Sequence, residues 1–486
     1  MTTIDYPQLY IDGTWAAPAG HDTIGVYSPT TEQRIGSVPR GDVADIDAAV
    51  AAARTAFDAP GGWSTLHPKE RAEYLQRFAA ELDARSGETA RRVSLQNGMP
   101  IWLANQFEAV FPPLLVRYYS DLMAGTPVEE ARPGMFGGTS LVSKQPIGVV
   151  GAIVPWNVPQ SISFLKIAPA LAAGCTIVLK PAEETVLDAF LMAEAAAAAG
   201  LPDGVINVVP GGREVGAYLV EHPGVDKVSF TGSTGAGRWI AEACARLLRP
   251  VTLELGGKSA AIVLDDADMA SLIEPFFGCT LLNNGQICWL NTRILLPRNR
   301  YGEMVDTITD MTRALTLGDP LDPATKIGPL VSKRQRERVE GYIAKGKSEG
   351  ARMTTGGSRG GQDRGWFVEP TVFADLDNNA TVAREEIFGP VLSLIPYSDE
   401  QEAVAIANDS VYGLGGTVWS SDLERAANVA RQVRSGTIGV NQYVNDPVAP
   451  FGGIKQSGMG RELGPEGMHA FQVYKTIYMP PPATAN

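Results

Sequence analysis

The chain has 486 residues, of which 44% are hydrophobic and 20% charged, and its formal net charge is −13. This length exceeds what one hydrophobic core usually serves, so two or three ordinary globular domains are expected. The acidic balance argues against nucleic acid or an anionic membrane surface as the main partner.

The cysteines and histidines do not form the patterns of a disulfide framework or a metal site. There are four of each, scattered along the chain, with no Cys-x-x-Cys pair. No segment at the start resembles a secretion signal, and no apolar run approaches the length of a membrane span. We therefore expect a cytoplasmic protein with reduced thiols, no bound metal and no membrane partner.

The first part of the chain predicts a strand-and-turn segment followed by helices. Asp42 is placed to cap the first helix, Pro68 to open a second, and Asn97-Gly98 to close a third. Residues 124–146 are rich in Gly, Pro and polar residues and interrupt this order.

From residue 147 onward, short apolar runs alternate with helical segments. This spacing predicts parallel βαβ units with right-handed crossovers, in which ligands bind at the carboxyl ends of the strands. A weaker alternation after residue 258 indicates a second α/β domain. The first set of apolar runs covers 148–154, 176–180, 204–209, 226–230 and 251–255.

The stretch "FTGSTGAG" joins a predicted strand to a helix. Gly232, Gly235 and Gly237 allow a phosphate to approach the backbone, and Ser233 offers a hydroxyl beside the free N–H groups of the helix start. The spacing is not the G-x-G-x-x-G fingerprint, so a glycine turn that only serves tight packing fits as well.

Three other strand ends carry polar residues. Lys180 and Glu183 in "VLKPAE" suit an adenosine ribose, or form a surface ion pair. Asn157 in "PWNVP" is a candidate oxyanion donor, or the start of an Asx turn. Glu254 in "LELGGKS" is either an unpaired charge or a base.

Cys288 lies in "NNGQICWL", after a polar, glycine-containing turn. An isolated cysteine is typically a small buried hydrophobe. It acts as a nucleophile where a helix dipole, a cofactor charge or a carboxylate working through water activates it. The stretch by itself leaves both interpretations open.

Seven motifs together resemble the aldehyde dehydrogenase superfamily, over nearly the whole chain and in the family's order. They are "PWNVP", "VLKPAE", "FTGSTGAG", "LELGGKS", "NNGQIC", "EEIFGPV" (385–391) and "PFGGIKQSGMGRE" (450–462). The resemblance implies oxidation of an aldehyde to the acid with NAD⁺ and water, through a cysteine thiohemiacetal and a thioester.

The catalytic roles are likewise implied by the resemblance. Cys288 is the nucleophile, and the Asn157 amide and the Cys288 backbone N–H form the oxyanion hole. Glu254 is the general base for the deacylating water, and Lys166 is assigned to a proton relay. We interpret "SGMGRE" as structural, because nothing in its chemistry demands a substrate.

For the cofactor, NAD, the resemblance implies that Lys180 and Glu183 hold the adenosine ribose and Ser233 a phosphate. Glu386 holds the nicotinamide ribose, and Phe388 packs near the nicotinamide. Further residues expected at the cofactor are Ile153, Pro155, Trp156, Gly212, Phe230, Thr231, Gly232, Gly237, Leu255 and Gly256.

The side chains expected along the substrate tunnel are apolar or aromatic and include no arginine. They favour a neutral aliphatic or aromatic aldehyde over an acidic semialdehyde. They are Val158, Ile162, Leu165, Ile287, Trp289, Tyr443 and Val444.

The implied architecture is α/β, with a Rossmann-like cofactor domain (1–123 and 147–256) and a second α/β catalytic domain (257–456). A small β oligomerisation element combines 124–146 with 470–486, whose C-terminal strand leaves an edge free to pair. We therefore expect a homodimer or a homotetramer.

Three alternatives remain. A CoA-acylating dehydrogenase and an acyl-phosphate reductase share the cysteine, but their chemistry needs no water-activating base such as Glu254. A non-catalytic binding or structural protein would keep the fold alone, and the intact Cys288, Asn157 and Glu254 argue against it.

Overall fold

The computed structural model describes residues 3–481 of the chain. In chain order, its strands are β1 (Ile4–Asp5), β2 (Leu9–Ile11), β3 (Thr14–Ala16), β4 (Thr23–Tyr27), β5 (Arg34–Pro39), β6 (Glu129–Pro133), β7 (Thr139–Pro146), β8 (Val149–Ile153), β9 (Thr176–Lys180), β10 (Ile206–Val208), β11 (Lys227–Thr231), β12 (Val251–Glu254), β13 (Ala260–Val263), β14 (Arg293–Pro297), β15 (Arg352–Thr355), β16 (Thr371–Ala374), β17 (Val391–Tyr397), β18 (Gly416–Trp419), β19 (Gly439–Val440), β20 (Gly458–Met459) and β21 (Gln472–Met479).

The helices begin and end at recognisable signals. The Asp42 side chain caps the first helix, Pro68 opens the second, and Gly98, with φ 85°, ends the third, so these three predictions are confirmed. The helices are α1 (Val43–Asp58), α2 (Pro68–Ala84), α3 (Ser86–Asn97), α4 (Ile101–Ala104), α5 (Phe111–Gly125), α6 (Pro159–Ala173), α7 (Leu187–Ala198), α8 (Arg213–Glu221), α9 (Thr234–Arg246), α10 (Ile273–Thr280), α11 (Tyr301–Arg313), α12 (Lys333–Ser348), α13 (Thr381–Arg384), α14 (Glu400–Asn408), α15 (Leu423–Ala430) and α16 (Gly464–His469).

The first sheet has eight strands in the order β20-β12-β11-β8-β9-β10-β2-β3. Its five central strands pair in parallel, as the apolar runs predicted. Helices α6, α7, α8 and α9 connect them in turn. The carboxyl ends of β8, β9, β11 and β12 therefore meet at one edge of the sheet, where a ligand is expected.

The second sheet has seven strands in the order β15-β16-β17-β14-β13-β18-β19. All of its pairs are parallel except that of β15 and β16. Ile294 of β14 belongs to the hydrophobic cluster of the first sheet, whereas Leu295 belongs to a separate cluster on the other side. Because successive side chains of a strand point to opposite faces, one face of this sheet shares its core with the first sheet.

The described part of the chain also contains two three-stranded sheets. One has the order β1-β5-β4 and the other the order β21-β7-β6. In the latter, β21 pairs with β7 over its whole length, from Gln472 opposite Pro146 to Met479 opposite Thr139. Segment 124–146 and the C-terminal strand, which the sequence grouped into one element, therefore pair in one sheet, and residues 482–486 of that prediction lie outside the described part. No helix within residues 3–481 is both long and apolar enough to span a membrane.

Candidate active site

The loop after β12 touches the Cys288 loop main chain to main chain. A Cβ at Gly257 would lie 2.4 Å from the carbonyl oxygen of Cys288, so only glycine fits at this position. Glu254, at the end of β12, and Cys288 consequently line the same cavity.

The turn before Cys288 has an uncommon backbone. Asn283 and Asn284 have φ values of 49° and 60°, a left-handed geometry that asparagine tolerates better than most residues. The Asn284 amide donates to the carbonyl oxygens of Gly98 and Pro329, each at 2.9 Å. These hydrogen bonds anchor the turn to the end of α3. They therefore fix the position of the segment that leads to Cys288.

Cys288 is half-buried, whereas Cys175, Cys244 and Cys279 are buried, and all four thiols are free. Burial raises the pKa of the Cys288 thiol well above its usual range, and the nearby carboxylates of Glu386 and Glu254 add to this. The surrounding chain alone therefore favours the thiol form. Formation of the Cys288 thiolate therefore requires that a positive charge or a base come close to the sulfur.

Asn157 is buried and held from both sides. Its main-chain oxygen accepts hydrogen bonds from the side-chain amides of Asn283, at 2.9 Å, and Asn97, at 3.2 Å. Its own side-chain amide donates to the carbonyl oxygen of Gln286 at 2.9 Å, within the Cys288 loop. The side chain thus points toward the cysteine and makes no Asx turn, as an oxyanion donor requires.

Glu254 is 2% exposed, and within normal hydrogen-bond geometry neither of its carboxylate oxygens has a partner among the described residues. Burial raises the pKa of this carboxyl well above its usual range, and the charge of Glu462 raises it further. A buried carboxyl without a partner is costly in a purely structural position. Its place in the cavity beside the cysteine suits a general base.

Lys166 lies on α6, behind Glu254 in the same buried polar group. Its ammonium donates to Glu462 Oε1 at 2.6 Å and to Thr231 Oγ1 at 2.7 Å. Glu462 belongs to the "SGMGRE" stretch that the sequence analysis interpreted as structural, and the structure places it in the site. The sequence around Glu462 gives no indication that this residue pairs with Lys166.

The edge formed by β9, β11 and α9 carries the predicted adenosine and phosphate residues. The Lys180 ammonium donates to the carbonyl oxygen of Pro181 at 3.0 Å, and burial lowers its pKa. Glu183 is one-third exposed and forms an ion pair with Arg40, which the sequence analysis did not name. Gly212 follows β10 and precedes α8 as its N-terminal cap.

The glycines of the α9 start serve two purposes. A Cβ at Gly232 would lie 2.5 Å from the Phe230 ring, and one at Gly237 would lie 2.5 Å from the Leu255 side chain, so both allow tight packing. Gly235 has open space beside it. The Ser233 hydroxyl caps α9, and the helix N-terminus suits a phosphate group. The packing interpretation thus applies at Gly232 and Gly237, and the phosphate interpretation stays a prediction.

Glu386 and Phe388 line a small pocket together with Cys288. Glu386 Oε1 accepts a hydrogen bond from the Gly257 N–H at 2.9 Å, and burial raises the pKa of this carboxyl to about 6. Phe388 has φ 62° and meets the Trp156 ring edge to face, with centroids 5.3 Å apart. Of the other predicted cofactor residues, Ile153 and Thr231 are the last residues of β8 and β11, and Pro155 and Gly256 follow the ends of β8 and β12.

A cavity of about 490 Å³ leads to Cys288. The rings of Trp289 and Tyr443 stack in its wall, 4.6 Å apart. Among the described residues, no arginine or lysine lines it. All seven side chains that the sequence placed along the tunnel line it: Val158, Ile162, Leu165, Ile287, Trp289, Tyr443 and Val444. Those the sequence analysis missed include Trp102, Phe107, Phe111, Phe277, Leu282 and Phe451.

Metal chemistry has no candidate site in the described part of the chain, where no cluster of three or more His, Cys, Asp or Glu side chains could hold an ion. The polar groups of the site are instead a thiol, an amide, two carboxyls and an amine, arranged at the inner end of an apolar tunnel.

Comparison with known proteins extends these observations. The sequence pattern of the aldehyde dehydrogenase family matches residues 15–477. The chain is 57% identical to a geranial dehydrogenase of Castellaniella defragrans over 477 residues, which cover 98% of this chain and 99% of that protein. Two solved structures are similar over 100% of both chains: a Mycobacterium tuberculosis aldehyde dehydrogenase with NAD⁺ (TM-score 0.97, 48% identity) and a Pseudomonas syringae aldehyde dehydrogenase with NAD⁺ and octanal (TM-score 0.95, 41% identity).

The chain therefore belongs to the aldehyde dehydrogenase family. It has the fold of that family, and it is an NAD-dependent oxidoreductase acting on aldehydes.

Proposed function

We propose that this enzyme oxidises a neutral, hydrophobic aldehyde to its carboxylic acid with NAD⁺ and water, using Cys288 as the nucleophile. The observation that carries the proposal is the position of the Cys288 thiol, at the inner end of an apolar tunnel where the Asn157 amide and the unpartnered Glu254 carboxyl converge. Thiol, oxyanion donor and base are the three groups that acyl transfer through a thioester requires.

In the first half of the reaction the Cys288 thiol gives its proton to water, and the thiolate sulfur then forms a bond to the aldehyde carbon. The oxygen of the tetrahedral adduct is held by the Asn157 amide and the Cys288 backbone N–H. The main chain of Asn157 is already held by Asn97 and Asn283 before the substrate arrives. Bound NAD⁺ supplies the hydride acceptor. The cysteine is then left as a thioester.

In the second half, Glu254 takes a proton from water, and the resulting hydroxide attacks the thioester carbon. The carbon–sulfur bond breaks, the carboxylic acid leaves, and Cys288 is released as the thiolate, so the proton taken from water stays on Glu254. Lys166 and Glu462 lie behind Glu254 and carry the proton away, because their ion pair offers both a donor and an acceptor. The raised pKa of Glu254 suits a base that has to work near neutral pH.

The residues at the cofactor edge fit NAD⁺. Lys180 and Glu183 would hold the adenosine ribose, and the start of α9 at Ser233 a phosphate. Glu386 and Phe388 would lie against the nicotinamide half, on the side that faces Cys288.

The substrate class follows from the tunnel wall. Its volume lies within the usual range of small-molecule sites, and its lining is mostly aliphatic or aromatic. An acidic semialdehyde would lack a cationic partner there, since no described arginine or lysine lines the wall. The relatives named for geranial and the complex with octanal support a medium-sized hydrophobic aldehyde.

The test is an NADH-formation screen over geranial, octanal, benzaldehyde and succinic semialdehyde, with and without coenzyme A. We expect kcat/KM for the neutral aldehydes to exceed that for the acidic one by about tenfold or more, without stimulation by coenzyme A. A preference for the acidic aldehyde, or an acyl-CoA product, would contradict the proposal and favour the acylating alternative. No turnover of any aldehyde would favour the binding-protein alternative.

Three further parts of the proposal rest on supporting observations. The two large sheets support a cofactor domain of 1–123 and 147–256 and a catalytic domain of 257–456. The exposed sheet of β6, β7 and β21 supports an oligomerisation element and a homodimer or homotetramer. The four free thiols support a reducing, cytoplasmic location.

A further inference from the structure

Lys326 lies in the loop between α11 and α12, just outside the tunnel lining, and contacts three residues that belong to it. Its ammonium is 5.1 Å from the centroid of the Trp102 ring and 5.7 Å from that of the Phe277 ring. It also lies 3.1 Å from Glu274 Oε1. Trp102, Phe277 and Glu274 all line the tunnel, and the Glu274 side chain is 75% exposed, which places this group at the solvent end.

Aromatic faces and a carboxylate are the groups that bind an organic cation. In this tunnel mouth they already hold the ammonium of Lys326. The loop is fixed there, because the Trp102 indole N–H donates to the carbonyl oxygen of Thr325 at 3.0 Å. The two rings and the carboxylate that could bind a cationic aldehyde are therefore already engaged by Lys326.

We propose that Lys326 is a specificity-determining residue that selects against positively charged aldehydes at the tunnel mouth. It occupies the cation site formed by Trp102, Phe277 and Glu274, and it leaves the apolar route to Cys288 open to neutral aldehydes. The proposal rests on the tunnel being the substrate route, as proposed above, and adds the residue that excludes one substrate class.

Two aldehydes of the same shape and different charge test this. Trimethylammonioacetaldehyde and 3,3-dimethylbutanal differ only in a nitrogen for a carbon. We would measure kcat/KM for both with the wild type, with Lys326→Gln and Lys326→Glu, and with Lys333→Gln as the matched control. Lys333 is an exposed lysine on α12, ion-paired with Glu337, and does not line the tunnel. The two aldehydes hydrate to different extents, so their kcat/KM values are not compared directly. Instead we compare how the ratio of the two kcat/KM values changes from one variant to the next.

We expect Lys326→Gln to raise the cationic-to-neutral ratio by about threefold to tenfold, and Lys326→Glu by more, with the neutral aldehyde nearly unaffected. The gain should shrink at high ionic strength, since exposed charges are screened. The proposal is overturned if Lys326→Gln leaves the ratio as it is in the wild type, or if Lys333→Gln changes it equally.

A binding measurement separates this proposal from the proposed function. The dissociation constants of the same two aldehydes for Cys288→Ala, with and without Lys326→Gln, are read from tryptophan fluorescence, since Trp102 and Trp289 line the tunnel. If the wild type oxidises neither aldehyde, the proposed function fails, and the ratio of dissociation constants still decides the role of Lys326.

Discussion

Lys166 and Glu462 lie 296 positions apart in the chain and form a buried ion pair, with Nζ and Oε1 separated by 2.6 Å. The pair connects α6, which starts next to Asn157, to the loop before α16. Both of its charges also act on Glu254: Glu462 raises the pKa of that carboxyl and Lys166 lowers it. This ion pair therefore has two effects. It holds two distant segments of the chain together, and it influences the charge state of Glu254, the candidate base.

We predict that Glu462→Gln lowers the free energy of unfolding by about 3 kcal/mol, because it leaves the Lys166 ammonium buried without its counter-charge. Denaturant unfolding measures the change. Glu274→Gln, which breaks an exposed pair with Lys326, is the control and should cost no more than about 1 kcal/mol. An equal loss of unfolding free energy in the two variants would contradict the prediction that the buried ion pair stabilises the fold more than the exposed one.

The second prediction concerns the nucleophile. Cys288→Ala should reduce aldehyde oxidation by about a thousandfold or more while NAD⁺ binding stays within about twofold of wild type, since the thiol is not a cofactor ligand. Cys175→Ala, at a buried thiol outside the tunnel, should keep its activity. Oxidation near the wild-type rate by Cys288→Ala would place the nucleophile elsewhere.

The third prediction concerns the base. Glu254→Gln should complete the first turnover and then stall at the thioester, which rapid mixing detects as a burst of NADH. Because the pKa of Glu254 is raised, its basic form gains population as the pH rises above the usual carboxyl range. The wild-type deacylation rate should therefore increase with pH, and this dependence should vanish in Glu254→Gln. A normal steady state in the variant would remove Glu254 from this step.

The fourth prediction concerns the choice of cofactor. A carboxylate at Glu183 favours the ribose hydroxyls of NAD⁺ over the phosphate of NADP⁺, by about tenfold to several hundredfold in kcat/KM. The Arg40 guanidinium offsets part of the Glu183 charge, so Arg40→Ala should strengthen the preference and Glu183→Ser weaken it. Glu184→Ser, beside it and paired with Arg334, is the control. A wild type that prefers NADP⁺, or a ratio that neither variant changes, refutes this assignment.

The fifth prediction is a homo-oligomer, at least a dimer. Strand β21 is exposed after its first residue, and Ile477 and Tyr478 project from it. An exposed strand of this kind needs a partner surface. Light scattering at micromolar concentration should give twice the chain mass or more, and Ile477→Lys should lower it. Leu423→Lys, at an exposed leucine on α15, should not. A wild-type monomer would contradict the prediction.

The sheets could be predicted from the sequence because buried parallel strands are continuous apolar runs, and five of those runs became the central strands of the first sheet. The candidate site could be predicted as far as its residues belong to motifs. Asn157, Glu254 and Cys288 each follow a recognisable turn or strand, and the structure brings them to one cavity.

Contacts made by residues outside those motifs could not be predicted. Arg40 meets Glu183 across 143 positions. The aromatic tunnel wall includes Trp102 from α4 and Phe277 from α10, and neither residue belongs to one of the seven motifs. Long-range pairing of this kind depends on how elements pack, and no local period or spacing records it.

The contact between Gly257 and the Cys288 carbonyl has a consequence for recombination between relatives. A chimera whose crossover falls between positions 257 and 288 would take the two touching backbones from different parents. Because no side chain lies between them to adjust, a shift of a few tenths of an ångström in either parent becomes a clash. We expect functional chimeras to inherit these two loops together, whatever the identity elsewhere, which makes residues 257–288 a single unit of exchange.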